Sequence, residues 1–181
     1  MLLDRNQSCL IVVDIQERLA PAMHDGGQGA IHNAGILMKA ARRLGVPVLV
    51  SEQYPRGLGR TVAPLQEFMP DQGAIEKVEF ACPGNAGFTQ RFKALGKKQA
   101  VISGMETHIC VLQTALKLRA EGVEVFVAGD ATASRKPDSM DFAFARLTDA
   151  GCAILTTEMA VFEWLERAGT DDFKALQPLI A

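Results

Sequence analysis

Residues 99–122 read QAVISGMETHICVLQTALKLRAEG. The run Ala100-Val101-Ile102 is short and apolar, as a strand buried on both faces of a parallel sheet must be. Ser103 and Gly104 break it. Thr107 is then a predicted helix cap, its hydroxyl offering an acceptor to an otherwise unpaired first-turn N–H. From there Ile109, Leu112, Leu116 and Ala120 recur at helical spacing until Gly122 ends the element. Cys110 is thereby expected in the first turn of a helix that leaves the C-terminal edge of a strand. Unpaired N–H groups and the positive end of the helix dipole favour a thiolate there. The competing reading is that Cys110, one of four cysteines, packs as a small buried hydrophobe.

The same alternation extends along the chain. Residues 8–14, SCLIVVD, form a nearly continuous apolar run ending in an acid, the pattern of a central parallel strand. An amphipathic helix is predicted over residues 28–45 and a second strand over 46–50. Residues 51–65 read as a long loop rich in Gly and Pro, and residues 74–78 as a third strand containing Lys77. A helix through Leu95, the strand and helix around Cys110, a fifth strand over 123–128 ending at Gly129-Asp130, and a helix over 138–150 follow, with Pro137 at the helix start. A sixth strand over 152–155 and helices over 158–165 and 171–179 complete the chain. Strands alternating with helices at this spacing predict one three-layer α/β/α domain over residues 1–181. Its sheet is doubly wound, mostly parallel and six-stranded, in the order 3-2-1-4-5-6.

Composition narrows the function classes. The chain has 181 residues, 48% hydrophobic and 22% charged, with a formal net charge of -2 and no basic run. Nothing in that balance suggests nucleic-acid binding. CLIVV and VPVLV are strand-sized, too short to span a membrane. Asp4 and Arg5 lie where a signal peptide would need an apolar region, so a cytoplasmic location is expected. Cys9, Cys82, Cys110 and Cys152 are widely spaced without a CxxC, and His24, His32 and His108 form no paired motif. That argues against a redox pair of the thioredoxin kind, a structural zinc site and a protein-held metal.

In sheets of this order, ligands bind beyond the strand C-termini where the strand order reverses. Here that point lies between the first and fourth strands, so Asp14 and Cys110 should face one crevice. Asp14 is a candidate base, Lys77 a candidate partner for both thiolate and carboxylate, and Cys110 a candidate nucleophile. The backbone N–H groups of Glu106 and Cys110 are candidate oxyanion donors. Gln16, Tyr54 and Phe80 are candidate substrate-binding residues, and Glu106 is a further pocket-lining candidate. Asp14 could instead only cap the following segment, and Lys77 could be a surface charge.

IVVDIQ around Asp14, IEKVEFAC around Lys77 and ISGMETHIC around Cys110 resemble the isochorismatase-like cysteine hydrolases over nearly the whole chain. SEQYPRGLG and VAGDATASR resemble the subgroup of isochorismatase domain-containing proteins. The resemblance implies an Asp-Lys-Cys triad at Asp14, Lys77 and Cys110 and a cis peptide at Met105-Glu106. It also implies C–N hydrolysis without a cofactor. Nicotinamidases of that superfamily carry a metal-holding Asp-x-His after the second strand, whereas residues 51–55 here contain no histidine. Isochorismatases proper lack the nucleophilic cysteine. Ala81 stands where related chains often have Ser.

Other features carry less. Gly57-Leu58-Gly59 lacks the context of a dinucleotide fingerprint. His108, two residues before Cys110, should point away from its sulfur, towards a rim or an interface. Cys82 is the one rival thiol, without a helix start to support it, and Cys9 and Cys152 look like packing. Trp164 reads as core or subunit contact. The expected activity is hydrolysis of a small amide-like substrate by a homo-oligomer. Two alternatives are an idle oligomeric scaffold, suggested by Ala160-Val161-Phe162 with Trp164-Leu165, and a peroxide-responsive thiol protein lacking an evident resolving partner.

Overall fold

The computed structural model describes residues 1–180. Six strands, β1 (Ser8–Val13), β2 (Val48–Gln53), β3 (Ile75–Lys77), β4 (Gln99–Met105), β5 (Glu124–Ala133) and β6 (Ala153–Leu155), form one sheet in the order β3-β2-β1-β4-β5-β6. Every pairing is parallel, the doubly wound arrangement that the strand–helix alternation predicts. The helices are α1 (Gln28–Leu44), α2 (Pro55–Leu58), α3 (Ala63–Gln66), α4 (Ala86–Leu95), α5 (Leu112–Ala120), α6 (Pro137–Asp149), α7 (Thr157–Leu165) and α8 (Asp171–Leu176).

β1 and β4 are buried at every position, and the pleat sends alternate side chains to opposite faces. Leu10, Val12, Val101 and Met105 pack with α1, α7 and α8; Cys9, Ile11, Val13, Ala100 and Ile102 pack with α4, α5 and α6. Leu37 and Trp164, both fully buried, tie α1 and α7 to the first layer, and truncating either to alanine costs about 2–5 kcal/mol. Gly104 lies opposite Val13 with φ 137°. A Cβ at that position would overlap the Val13 carbonyl oxygen. Glycine is what lets β1 and β4 approach this closely at the point where strand order reverses.

Four elements differ from the sequence expectation. β2 continues through Ser51, Glu52 and Gln53 because their polar side chains find partners. Glu52, for instance, accepts hydrogen bonds from the Thr61 N–H (2.8 Å) and hydroxyl (2.8 Å) and from Arg60 (2.9 Å). The stretch read as one loop then carries α2 and α3, each with Pro in its first turn. β5 runs past Gly129-Asp130 to Ala133 through a register shift opposite Ile102 and Gly104, while Asp130 accepts from the Thr157 N–H (2.8 Å) and hydroxyl (3.0 Å) at the start of α7. The last helix stops at Leu176 and gives way to a tighter turn over Gln177–Leu179, which contains Pro178.

The apolar C-terminal segment is no free subunit surface. Ala160, Val161, Trp164 and Leu165 are buried in the chain's own core, and Met159 and Phe162 are the large apolar side chains of α7 left exposed. Among the described residues, no helix is long and apolar enough to cross a membrane.

Candidate active site

Three adjacent strands end at one cluster of polar side chains. Asp14 follows β1 with φ 54°, a left-handed conformation that Asp tolerates better than most residues. Its N–H donates to the Ser51 carbonyl at 3.1 Å. On its side chain, Oδ1 accepts from the Ser51 hydroxyl at 2.7 Å and Oδ2 from Lys77 Nζ at 2.7 Å. Neither side chain of the Lys77–Asp14 pair is exposed, both standing at 0%. Parallel register brings them together, since Val13 lies beside Ser51 and Gln53 beside Lys77. The ammonium also reaches Gln53 Oε1 at 2.7 Å and the carbonyls of Glu79 at 3.1 Å and Phe80 at 3.2 Å. A buried ion pair survives desolvation only with this many partners.

Cys110 enters from β4. The chain leaves Met105 through a cis peptide to Glu106 and makes a π-helical turn, Thr107–Val111, before α5 begins. The wide turn closes with Val111 N–H on the Glu106 carbonyl at 3.2 Å. Thr107 does not cap it: its hydroxyl is buried without a hydrogen-bond partner. The Cys110 residue is 6% exposed. Burial pushes its thiol well above the ordinary cysteine range, and the charge and hydrogen-bond acceptance of Asp14 push it further, while Lys77 pulls it down. This direction runs against a thiolate stabilised by a helix start. The shift favours the thiol over the thiolate, with the neighbouring Asp14 carboxylate among its causes.

The remaining candidates fall in three places. Tyr54, 55% exposed, joins Lys77, Val78, Glu79 and Asn85 in lining a cavity of about 350 Å³. Phe80 is exposed, and its carbonyl rather than its ring meets Lys77. Gln16 is fully buried, and its amide is tied to backbone: Oε1 accepts from Gln53 N–H (2.7 Å), and Nε2 donates to the Gln53 (3.0 Å) and Gly59 (2.8 Å) carbonyls. As a substrate contact Gln16 is thus corrected to a strut. Glu106 accepts from Arg135 Nε at 2.8 Å, and the His108 ring bonds the Ser134 hydroxyl at 2.9 Å.

Ser51 and Gln53 escaped the sequence reading. Ser51 and Gln53 sat in a stretch read as loop, and the polar end of a buried parallel strand was the signal available. Cys82, read as lacking a helix start, opens a tight turn over Cys82–Gly84. Among the described residues, no three metal-binding side chains gather.

A doubly wound parallel sheet with its buried charges beyond the strand C-termini at the β1/β4 switch point is an α/β protein of the kind whose active site lies at that edge. The chain belongs to the isochorismatase family: the model of the Isochorismatase domain matches residues 8–159. It is 35% identical to isochorismatase domain-containing protein 1 of Danio rerio over 173 residues, covering 96% of this chain but 60% of that protein. The chain thus spans about three fifths of that relative's length. Among solved structures, the MAR1 ribonuclease of Caenorhabditis elegans is 32% identical with a TM-score of 0.92, over 99% of this chain and 92% of that one. YcaC of Pseudomonas aeruginosa, solved with hexane-2,5-diol and covalent acrylamide, is 28% identical at TM-score 0.91, over 98% and 91%. YcaC of Escherichia coli, described as an octameric hydrolase of unknown specificity, is 26% identical at TM-score 0.90, over 99% and 90%.

Proposed function

We propose that the chain is a cysteine hydrolase that needs no cofactor and cleaves a C–N bond of a small amide-like substrate through a thioester on Cys110. The observation that carries this reading is the fully buried Lys77–Asp14 pair, 2.7 Å apart, set against the proton of the Cys110 thiol. Apolar residues of similar volume would hold the fold at least as well as a buried ion pair. A carboxylate fixed beside a thiol has use as a base.

Substrate carbonyl carbon is attacked by Cys110 Sγ while Asp14 takes the thiol proton, so no free thiolate need accumulate. The N–H groups of Glu106 and Cys110 receive the oxyanion, and Lys77 keeps the carboxylate oriented and balances its charge. Asp14 returns the proton to the departing nitrogen as the C–N bond breaks, leaving the thioester. Asp14 then deprotonates an attacking water, the C–S bond breaks, and the thiol regains its proton as the acid leaves. Tyr54, in the lining of the cavity beside Lys77, and the exposed ring of Phe80 offer surfaces on which an apolar part of the substrate would rest.

The covalent acrylamide on YcaC of P. aeruginosa supports the reading, because it is an electrophilic amide bonded to a protein of this fold. The E. coli octamer likewise supports a homo-oligomer here. The test is ammonia release from a panel of amides, ureas and carbamates, with single-stranded RNA as a further arm because of the C. elegans relative's name. Expected are turnover of at least one C–N substrate, loss of that turnover in Cys110→Ala, and an acrylamide adduct on Cys110 by peptide mass. Full turnover by Cys110→Ala would overturn the proposal.

A further inference from the structure

Cys82 is a nucleophile that this mechanism leaves unused. It is fully buried, in the same apolar cluster as Cys110, and two contacts fix it. Its N–H donates to the Thr114 hydroxyl at 3.0 Å. Thr114 follows Cys110 by one helical turn, so the two residues share a face of the segment that Cys82 packs against. Its Sγ donates to Ser51 Oγ at 3.5 Å, and Ser51 Oγ donates in turn to Asp14 Oδ1 at 2.7 Å. The carboxylate that accepts the Cys110 proton thus stands at the end of a hydrogen-bonded chain from a second thiol. The two sulfurs also feel each other, since charge on Cys82 raises the cost of ionising Cys110. A cysteine that only filled space would need no route for its proton to the catalytic carboxylate.

We propose that Cys82 is the resolving thiol of Cys110, so that a hydroperoxide converts the pair reversibly into a disulfide. Cys110 sulfur attacks the peroxide: the O–O bond breaks, an S–O bond forms, sulfur gives up two electrons, and the alcohol or water leaves with the thiol proton. Cys82 sulfur then attacks the Cys110 sulfenic acid. Its proton passes through Ser51 Oγ and Asp14 to the departing hydroxide, the S–O bond breaks, an S–S bond forms, and water leaves. A dithiol returns two electrons and two protons and restores both thiols. The disulfide protects the nucleophile from irreversible oxidation and silences it while peroxide persists.

The experiment treats the full chain with hydrogen peroxide, blocks remaining thiols with N-ethylmaleimide, and maps unreduced peptides by mass spectrometry. Expected is a peptide pair joining Cys82 to Cys110, lighter by two hydrogens, lost on adding dithiothreitol. Cys9 and Cys152 should stay alkylatable. In Cys82→Ala and in Cys82→Ser, each checked for native circular dichroism, Cys110 should run on to sulfinic acid that dithiothreitol does not reverse. The proposal is overturned if native Cys110 reaches sulfinic acid as fast as in those variants, if Cys110 pairs with another cysteine, or if peroxide leaves both thiols free. The readout is the state of two sulfurs, so its failure leaves the hydrolase reading standing, and an absence of hydrolysis leaves this one standing.

Discussion

Gln16 and Gln53 hold each other in both directions. The Gln53 N–H donates to Gln16 Oε1 at 2.7 Å, and Gln16 Nε2 donates back to the Gln53 carbonyl at 3.0 Å. The far end of Gln53 accepts from Lys77 Nζ at 2.7 Å and donates to the Val78 carbonyl at 2.9 Å. A buried amide on the β1 side therefore sets where the ammonium sits on the β3 side.

Gln16→Ala should destabilise the chain by about 1–3 kcal/mol, because it strands the Gln53 N–H and two carbonyls without partners. On a substrate found by the panel, kcat should fall more than KM rises, since Lys77 loses its support while the mouth of the site is untouched. Denaturant unfolding and steady-state kinetics check the two halves separately.

Lys77→Met leaves the Asp14 charge buried and alone, and unfolding free energy should drop by about 3–5 kcal/mol. Adding Asp14→Asn removes that charge. The double variant should recover most of the loss and remain inactive, a pattern that urea melts of the three proteins would reveal.

Asp14→Asn should make Cys110 easier to ionise while abolishing turnover. Asp14 raises the thiol through both its charge and its hydrogen bond, whereas Lys77 lowers it, so deleting the carboxylate charge moves the titration down. The pH profile of Cys110 alkylation by iodoacetamide should shift to lower pH in the variant. A shift to higher pH would contradict this electrostatic account.

Alkaline stability should carry the mark of Cys9. Burial raises its thiol from 9.0 to about 12, with Lys97 pulling the other way. The folded state holds the proton more tightly than the unfolded chain, so this contribution is whole below about pH 9 and fades as pH climbs toward 12. Across that window Cys9→Ala should show a shallower fall of stability than the parent, by up to about 1.4 kcal/mol per pH unit. Chemical melts of both proteins at stepped pH measure the difference.

The layered sheet was legible because β1 is apolar at nearly every position and β4 carries the apolar run Ala100-Val101-Ile102, and such runs suit strands covered on both sides. Their ends, with Asp14 and the turn to Cys110, could be placed for the same reason. Ser51 and Gln53 could not. What makes them strand residues is a set of partners far along the chain, Asp14 and Gln16 on one side and Lys77 on the other, and no local window contains those. Thr107 failed differently: its type suits a cap, but the chain enters α5 through a π turn, and the hydroxyl has no hydrogen-bond partner. Cys82 was visible as a spare thiol, yet its bond to Thr114 spans 32 positions of sequence.

The contact at Gly104 bears on how this site tolerates change. What a side chain there would strike is main chain, the oxygen of Val13, and no exchange of one residue for another moves a carbonyl out of the way. A lesion at position 104 should thus resist repair by a second mutation nearby, unlike a crowded side chain that a smaller neighbour could relieve. The seam between β1 and β4 is written in backbone, beyond the reach of compensation.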